Sequence, residues 1–373
     1  MKAFLPLFLL VISIQSYSQD SLYSERTRDF LGVAVSYHKG EVLTTTDFVK
    51  GDNLSHTPIT KHQSLSIKLL WQNPGYTEWQ KIFKGPYYGI GFYAGDFYNS
   101  SEIGYPLSAY GVLGIPIIRG KKLEIYSEFQ YGIAWNWAHY DSVYNPKNLA
   151  IGGGMTVHLD IGINAYYPVT KYLDLGAGVS FTHFSNGGFE RPNRGMNLYA
   201  PFAEIKYHFR GRPDTRTIKK AARAERHHGF YLMMGYGDHQ RVDHELDSNY
   251  FAVGGLSAFY LYQFSNAFRA GIGTDLNYWF GLNANPDGTI GPRTFENFTV
   301  GFSAQPEVMV GKLTLLGGIG IYARHLNYGN FRQTYQRLGA RFEIYDQWSL
   351  GVNVRAINFM LAEFLEFNLG YRF

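Results

Sequence analysis

Residues 123–137 read Leu123-Glu124-Ile125-Tyr126-Ser127-Glu128-Phe129-Gln130-Tyr131-Gly132-Ile133-Ala134-Trp135-Asn136-Trp137. Their alternation decides the fold. Leu123, Ile125, Phe129, Tyr131, Ile133 and Trp135 fall on odd positions, whereas Glu124, Glu128, Gln130 and Asn136 fall on even ones. Side chains at i and i+2 of a strand share a face, so this is a strand with one apolar and one polar side. Residues 153–166 repeat the pattern: Met155, Val157, Leu159, Ile161 and Ile163 alternate with Thr156, His158, Asp160 and Asn164.

The same beat runs outward in both directions. Strands are expected at 30–37, 64–71, 87–95, 107–118, 123–137, 153–166, 172–185 and 197–209. A second set of equal size is expected at 230–237, 250–264, 268–280, 298–310, 313–326, 334–345, 350–359 and 362–373. In the first set the connections alternate. Those at 40–61, 96–105, 138–149 and 186–196 are long or polar, and those at 119–121 and 168–171 are tight. Residues 73–84 break the rule, being long where a tight turn is expected.

Composition agrees. Aromatic residues make up 17% of the chain, with 30 Tyr and 28 Phe; Gly numbers 42 and charged residues only 17%. No apolar run is long enough for a transmembrane helix. An apolar outer face, a polar or small-residue lumen and alternating loop lengths describe a transmembrane up-and-down antiparallel β-barrel. The expectation is therefore an all-β fold of about sixteen strands. They would form one large barrel or two tandem eight-stranded barrels; a single closed barrel is the commoner arrangement and the one expected. Residues 1–18 read as a signal peptide, with Lys2 before an apolar stretch at 4–14 and small residues at Ser16 and Ser18. A barrel unit is expected over 27–210, a periplasmic linker over 211–228 that turns briefly helical at 218–225, and a second unit over 229–373. The closing Gly370-Tyr371-Arg372-Phe373 resembles the signal read by the barrel-assembly machinery. The net charge of +4 is too weak and scattered for nucleic acid, and the absence of Cys excludes a disulfide-stapled scaffold.

The second unit reads as a degenerate repeat of the first. Residues 173–179 (LDLGAGV) resemble 348–354 (WSLGVNV), which sets His183 against Asn358 and Ser185 against Met360.

Chemistry concentrates at 181–197, F-T-H-F-S-N-G-G-F-E-R-P-N-R-G-M-N. His183 and Ser185 continue the apolar set Leu173, Leu175, Ala177, Val179 and Phe181, so they face lipid. Asn197 shares the outward set of the next strand with Tyr199, Ala203, Ile205 and Tyr207. Polar groups facing lipid are costly and usually functional. A hydroxyl beside an imidazole is an activatable nucleophile. The His227-His228 pair and His239 with His244 lack a metal-ligand pattern, so no metal and no cofactor is expected.

The stretch H-F-S-N-G-G-F-E-R-P-N-R-G-M-N resembles the outer-membrane lipid A 3-O-deacylase (PagL-type) family, through H-x-S-N-x-G followed by P-N-x-G. The resemblance covers about the first half of the chain, with its specific part confined to 183–197. It implies a barrel that removes an ester-linked acyl chain from lipid A, or a related outer-leaflet glycolipid, at the outer membrane. His183 would be the base and Ser185 the nucleophile. Asn193, Asn186 and Gly188 would serve the oxyanion and substrate. The family's acidic triad member falls on Asn197, an amide that can hold the imidazole tautomer but stabilises an imidazolium less than a carboxylate would. Glu190 lies in the loop and Glu204 on the lumen face. The rival expectation is a non-enzymatic barrel, a pore or binding protein, with the long loops 40–61 and 282–297 serving a partner.

Overall fold

The computed structural model describes residues 30–120, 122–240, 250–281, 295–324, 334–359 and 361–373. The expected signal peptide at 1–18, His244, Met360 and most of the expected loop at 282–297 lie outside them.

All sixteen expected strands are present. The first eight are β1 (Leu31–Val42), β2 (Lys61–Gln72), β3 (Tyr87–Asp96), β4 (Gly104–Arg119), β5 (Glu124–Trp137), β6 (Met155–Pro168), β7 (Leu173–Ser185) and β8 (Met196–His208). The rest are β9 (His227–Gln240), β10 (Tyr250–Gln263), β11 (Phe268–Trp279), β12 (Phe298–Val310), β13 (Leu313–Arg324), β14 (Thr334–Tyr345), β15 (Trp348–Ile357) and β16 (Leu361–Arg372). Two short helices, α1 (Asp47–Lys50) and α2 (Glu78–Ile82), sit in the first two connections.

The strands close into two barrels, β1–β8 and β9–β16, not one. The expectation of a single sixteen-strand barrel is overturned by one pairing: β8 returns to β1, with Ile205 opposite Val35 and Tyr207 opposite Val33. In the second barrel β16 pairs with β9, placing Leu369 opposite Met234. Closure leaves no open edge to lipid in either unit.

Parity sorts the side chains as the sequence requires. Outward residues such as Ile67 (51% exposed), Phe92, Ile161, Ile205, Met234, Ile272 and Phe302 form exposed apolar belts. Belts of that extent are stable only in lipid. Inward charges pair, because an eight-strand lumen is just wide enough for side chains. Lys68 Nζ lies 2.9 Å from Glu128 Oε1 and 2.6 Å from Glu204 Oε2. In the second lumen Arg337 pairs with Asp275 at 2.6 Å and Arg341 with Glu307 at 2.5 Å. Both lumens are packed rather than open, which counts against the pore expectation.

The linker does not turn helical at 218–225; it runs without helix to β9. Its backbone groups are taken by the turn between β10 and β11. Asn266 Oδ1 accepts from Ala224 N at 2.6 Å, and Asn266 Nδ2 donates to Ala222 O at 2.5 Å. The side chain of Ile218 packs where a Cβ on Gly75 or Gly85 would stand. These tertiary contacts outweigh the local helix preference of Lys219-Lys220-Ala221-Ala222. The long 73–84 connection is explained by α2 and the residue that follows it: Trp79 and Ile82 join Phe83 in one cluster with Ala267, Val308 and Val310 of the second barrel.

Candidate active site

β7 and β8 form one hairpin, and its register sets His183 directly opposite Asn197. Parity fixes which way they point. Thr182, Phe184 and Asn186 are buried, whereas His183, Ser185 and Asn197 are half-buried on the outward side. The Phe184 ring fills the lumen at the end nearest the β7–β8 loop, 5.0 Å from the rings of Trp137 and His158. A one-residue slip would turn it into lipid and the site into the lumen, so packing holds the register.

The imidazole and the amide meet. His183 Nδ1 lies 2.7 Å from Asn197 Oδ1. The Asn197 amide is oriented by its other end, since Nδ2 donates to Thr45 Oγ1 at 3.3 Å. Oδ1 is then the acceptor, Nδ1 carries the proton, and Nε2 is left with its lone pair. Glu190 does not replace Asn197 as orienter: its carboxylate sits against Gly153, where any Cβ would run into it. Glu204 is in the lumen on Lys68.

The loop after β7 turns back over Ser185. Asn193 Nδ2 donates to Ser185 Oγ at 2.9 Å, and the Gly187 N–H donates to the same oxygen at 3.3 Å. Asn193 is held in this sense because its Oδ1 accepts from Asn186 N at 3.1 Å. Asn186 builds the loop, its Oδ1 accepting from Gly188 N at 3.0 Å and its Nδ2 donating to Glu190 O at 2.6 Å. The Gly188 N–H is therefore already committed, and Gly187 supplies the free-standing backbone donor at Ser185. Gly195 must be glycine on two counts: its φ is +73°, and a Cβ there would lie 3.0 Å from His183 Cε1 and from Phe184 O. The connection between β5 and β6 braces the loop, with Arg194 N donating to Leu149 O at 3.0 Å and Gly195 N to Ala150 O at 2.9 Å.

Two of the expected interactions are present and one is not. His183 meets Asn197, and Asn193 meets Ser185; among the described hydrogen bonds none joins His183 to Ser185. Side chains at i and i+2 of a strand stand roughly 6–7 Å apart at Cβ, so closing that bond needs only side-chain rotation. Sequence reasoning missed Thr45 and Gly187. Thr45 comes from a different hairpin and carries no local signal, and Gly187 acts through its backbone. Gly195 was visible in the quoted motif but had no assigned task.

The fold is that of an outer-membrane β-barrel, and the outward hairpin carries serine, imidazole and amides in one cluster. The model for lipid A 3-O-deacylase (PagL) matches residues 65–205, and that for the acyloxyacyl hydrolase C-terminal domain matches residues 228–373. The first barrel thus carries the match to the lipid A 3-O-deacylase (PagL) family, and the second barrel the match to the acyloxyacyl hydrolase C-terminal domain. Among solved structures it is similar to the outer-membrane enzyme PagL, at 18% identity over 46% of this chain and 97% of that one, with a TM-score of 0.31. It is also similar to Neisserial surface protein A, at 10% identity over 48% of this chain and 97% of that one, with a TM-score of 0.31. No curated protein matches the chain.

Proposed function

We propose that the protein hydrolyses an ester-linked acyl chain of lipid A, or of a related outer-leaflet glycolipid, by a Ser185/His183 mechanism. The observation that carries the reading is the outward-facing pair of contacts: His183 Nδ1 to Asn197 Oδ1 at 2.7 Å, and Asn193 Nδ2 to Ser185 Oγ at 2.9 Å. In this scheme Ser185 Oγ attacks the ester carbonyl carbon while His183 Nε2 takes its proton. The carbonyl oxygen becomes an oxyanion and accepts from Asn193 Nδ2 and the Gly187 N–H, the two donors that Oγ now holds. Asn197 keeps Nδ1–H in place as the imidazolium forms. The carbon–oxygen bond to the sugar breaks, and His183 returns the proton to the leaving hydroxyl. Water, deprotonated by His183, then attacks the acyl-serine and releases the fatty acid and free Ser185.

Export by a cleavable signal over 1–18, insertion by the barrel-assembly machinery and the origin of 229–373 as a degenerate repeat belong to the same reading. The repeat is supported by position, since β7 and β15 are the seventh strands of their barrels and Leu175 and Leu350 both point outward. The non-enzymatic alternative keeps one supporting observation, the amide of Asn197 where a carboxylate would serve better.

The test is the lipid A mass spectrum of membranes carrying wild type, Ser185→Ala or His183→Ala. The reading expects loss of one acyl chain only with wild type. Identical spectra for all three would refute it.

A further inference from the structure

The second barrel touches the loop that covers Ser185. Its outward row on β16 includes Leu369, 39% exposed, and Leu365, only 4% exposed. Leu365 faces outward because it pairs with Val354 and Asp238, which lie on the outward sides of β15 and β9. What covers it is the β7–β8 loop. A Cβ on Gly187 would stand 3.6 Å from Leu365 Cβ and from Val354 Cγ2, and one on Gly188 would stand 2.9 Å from Ala362 O. The next residue continues the contact, with the Phe189 ring 5.7 Å from that of Tyr250 at the start of β10. The β15–β16 pairing shifts register at Arg355/Ala356, near the end of the hairpin that meets the loop.

The two barrels meet a second time at the opposite end. Leu113 and Ile115 on β4, Trp79 and Ile82 on α2, and Val308 on β12 all pack against one cluster of Phe83, Ala267 and Val310. A strand tilted by about 40° travels roughly three strand positions round an eight-strand barrel across a membrane. β4 at one end and β7 at the other therefore lie on one side of the first barrel, as do β12 and β15 on the second. Equivalent elements face each other, as in an isologous dimer fused into one chain. Contact at both ends of the seam resists rocking of one barrel against the other.

We infer that the second barrel is a positioning element of the active site: Val354, Ala362 and Leu365 clamp Gly187 and Gly188, and so hold the Gly187 N–H on Ser185. This rests on the reading of Ser185 as nucleophile. An oxyanion donor works when it is fixed within about 0.5 Å of its working place. The loop is braced on one side by Leu149 and Ala150 and on the other by the second barrel. Gly187 and Gly188, with φ of +70° and +86°, let the backbone approach that closely.

The test uses the full chain in detergent micelles with a p-nitrophenyl acyl ester. Leu365→Ala and Gly188→Ala are expected to lower kcat about tenfold with KM changed less than twofold. Leu365→Met should restore most of the loss, and Leu369→Ala, on the same row but lipid-facing, should match wild type. Retention of heat-modifiable migration on gels shows that each variant is folded. Full kcat in both Leu365→Ala and Gly188→Ala would overturn the inference. A second measurement does not depend on catalysis. The chain has no cysteine, and a Cβ–Cβ separation of 3.6 Å suits a disulfide. Gly187→Cys with Leu365→Cys should cross-link under mild oxidation in membranes, and failure to do so would remove the clamp. If Ser185→Ala is fully active, the proposed nucleophile is wrong, while the cross-link still reports whether the barrel grips the loop.

Discussion

The β7–β8 and β15–β16 hairpins occupy the same station in their two barrels and end differently. β7 and β8 are joined by residues 186–195, a loop that folds back on Ser185 through Asn193 and Gly187. β15 and β16 are joined by residues 358–360, three against ten, with left-handed φ at Asn358 and Phe359. The strands themselves obey the same parity, with packed lumens and apolar belts. The difference teaches that the barrel supplies register and the outward face, whereas the loop supplies the donors. The second hairpin has instead become a wall against which the first loop is held.

This contrast can be broken in stages. Ser185→Ala should reduce ester hydrolysis by about 10³-fold or more in a chromogenic assay, because nothing in the second hairpin stands in for it. Lys68→Met should lower stability by about 3–5 kcal/mol in urea unfolding, since the Glu128 and Glu204 carboxylates would lose the buried cation that bridges them. Asn193→Ala removes one of the two donors at Ser185 and should cost about 10²–10³ in kcat. Asn197→Asp places a carboxylate oxygen where Oδ1 already lies 2.7 Å from His183 Nδ1, and should raise kcat by about tenfold, roughly 1.4 kcal/mol. Unchanged or lower kcat in Asn197→Asp would mean that the amide is tuned rather than degraded. Asn358→Ala, at the second-barrel position that aligns with His183, should leave kcat within about twofold of wild type.

Much of this was legible in the sequence because strand parity is local. Leu123–Trp137 announces its two faces without reference to any neighbour, and so do the other strands. The outward placement of His183, Ser185 and Asn197 follows from the same counting. Barrel number was not legible, since it depends on which distant strand β8 finds. Ile205 meeting Val35 is a choice between edges of similar composition. Nor was the fate of 218–225, where Asn266 in a remote turn takes the backbone groups that a helix would use. Thr45 and Leu365 were hidden for the same reason: each reaches the site from another hairpin, and neither differs locally from its neighbours.

The most direct measurement is the mass of the protein during turnover. After rapid mixing with an acyl ester and acid quench, the intact chain should gain the mass of one acyl group. Fragmentation should place that group on Ser185, and His183→Ala should not acquire it. An adduct on another residue, or turnover with no acylated protein at any time, would contradict a serine nucleophile on the outward face of β7.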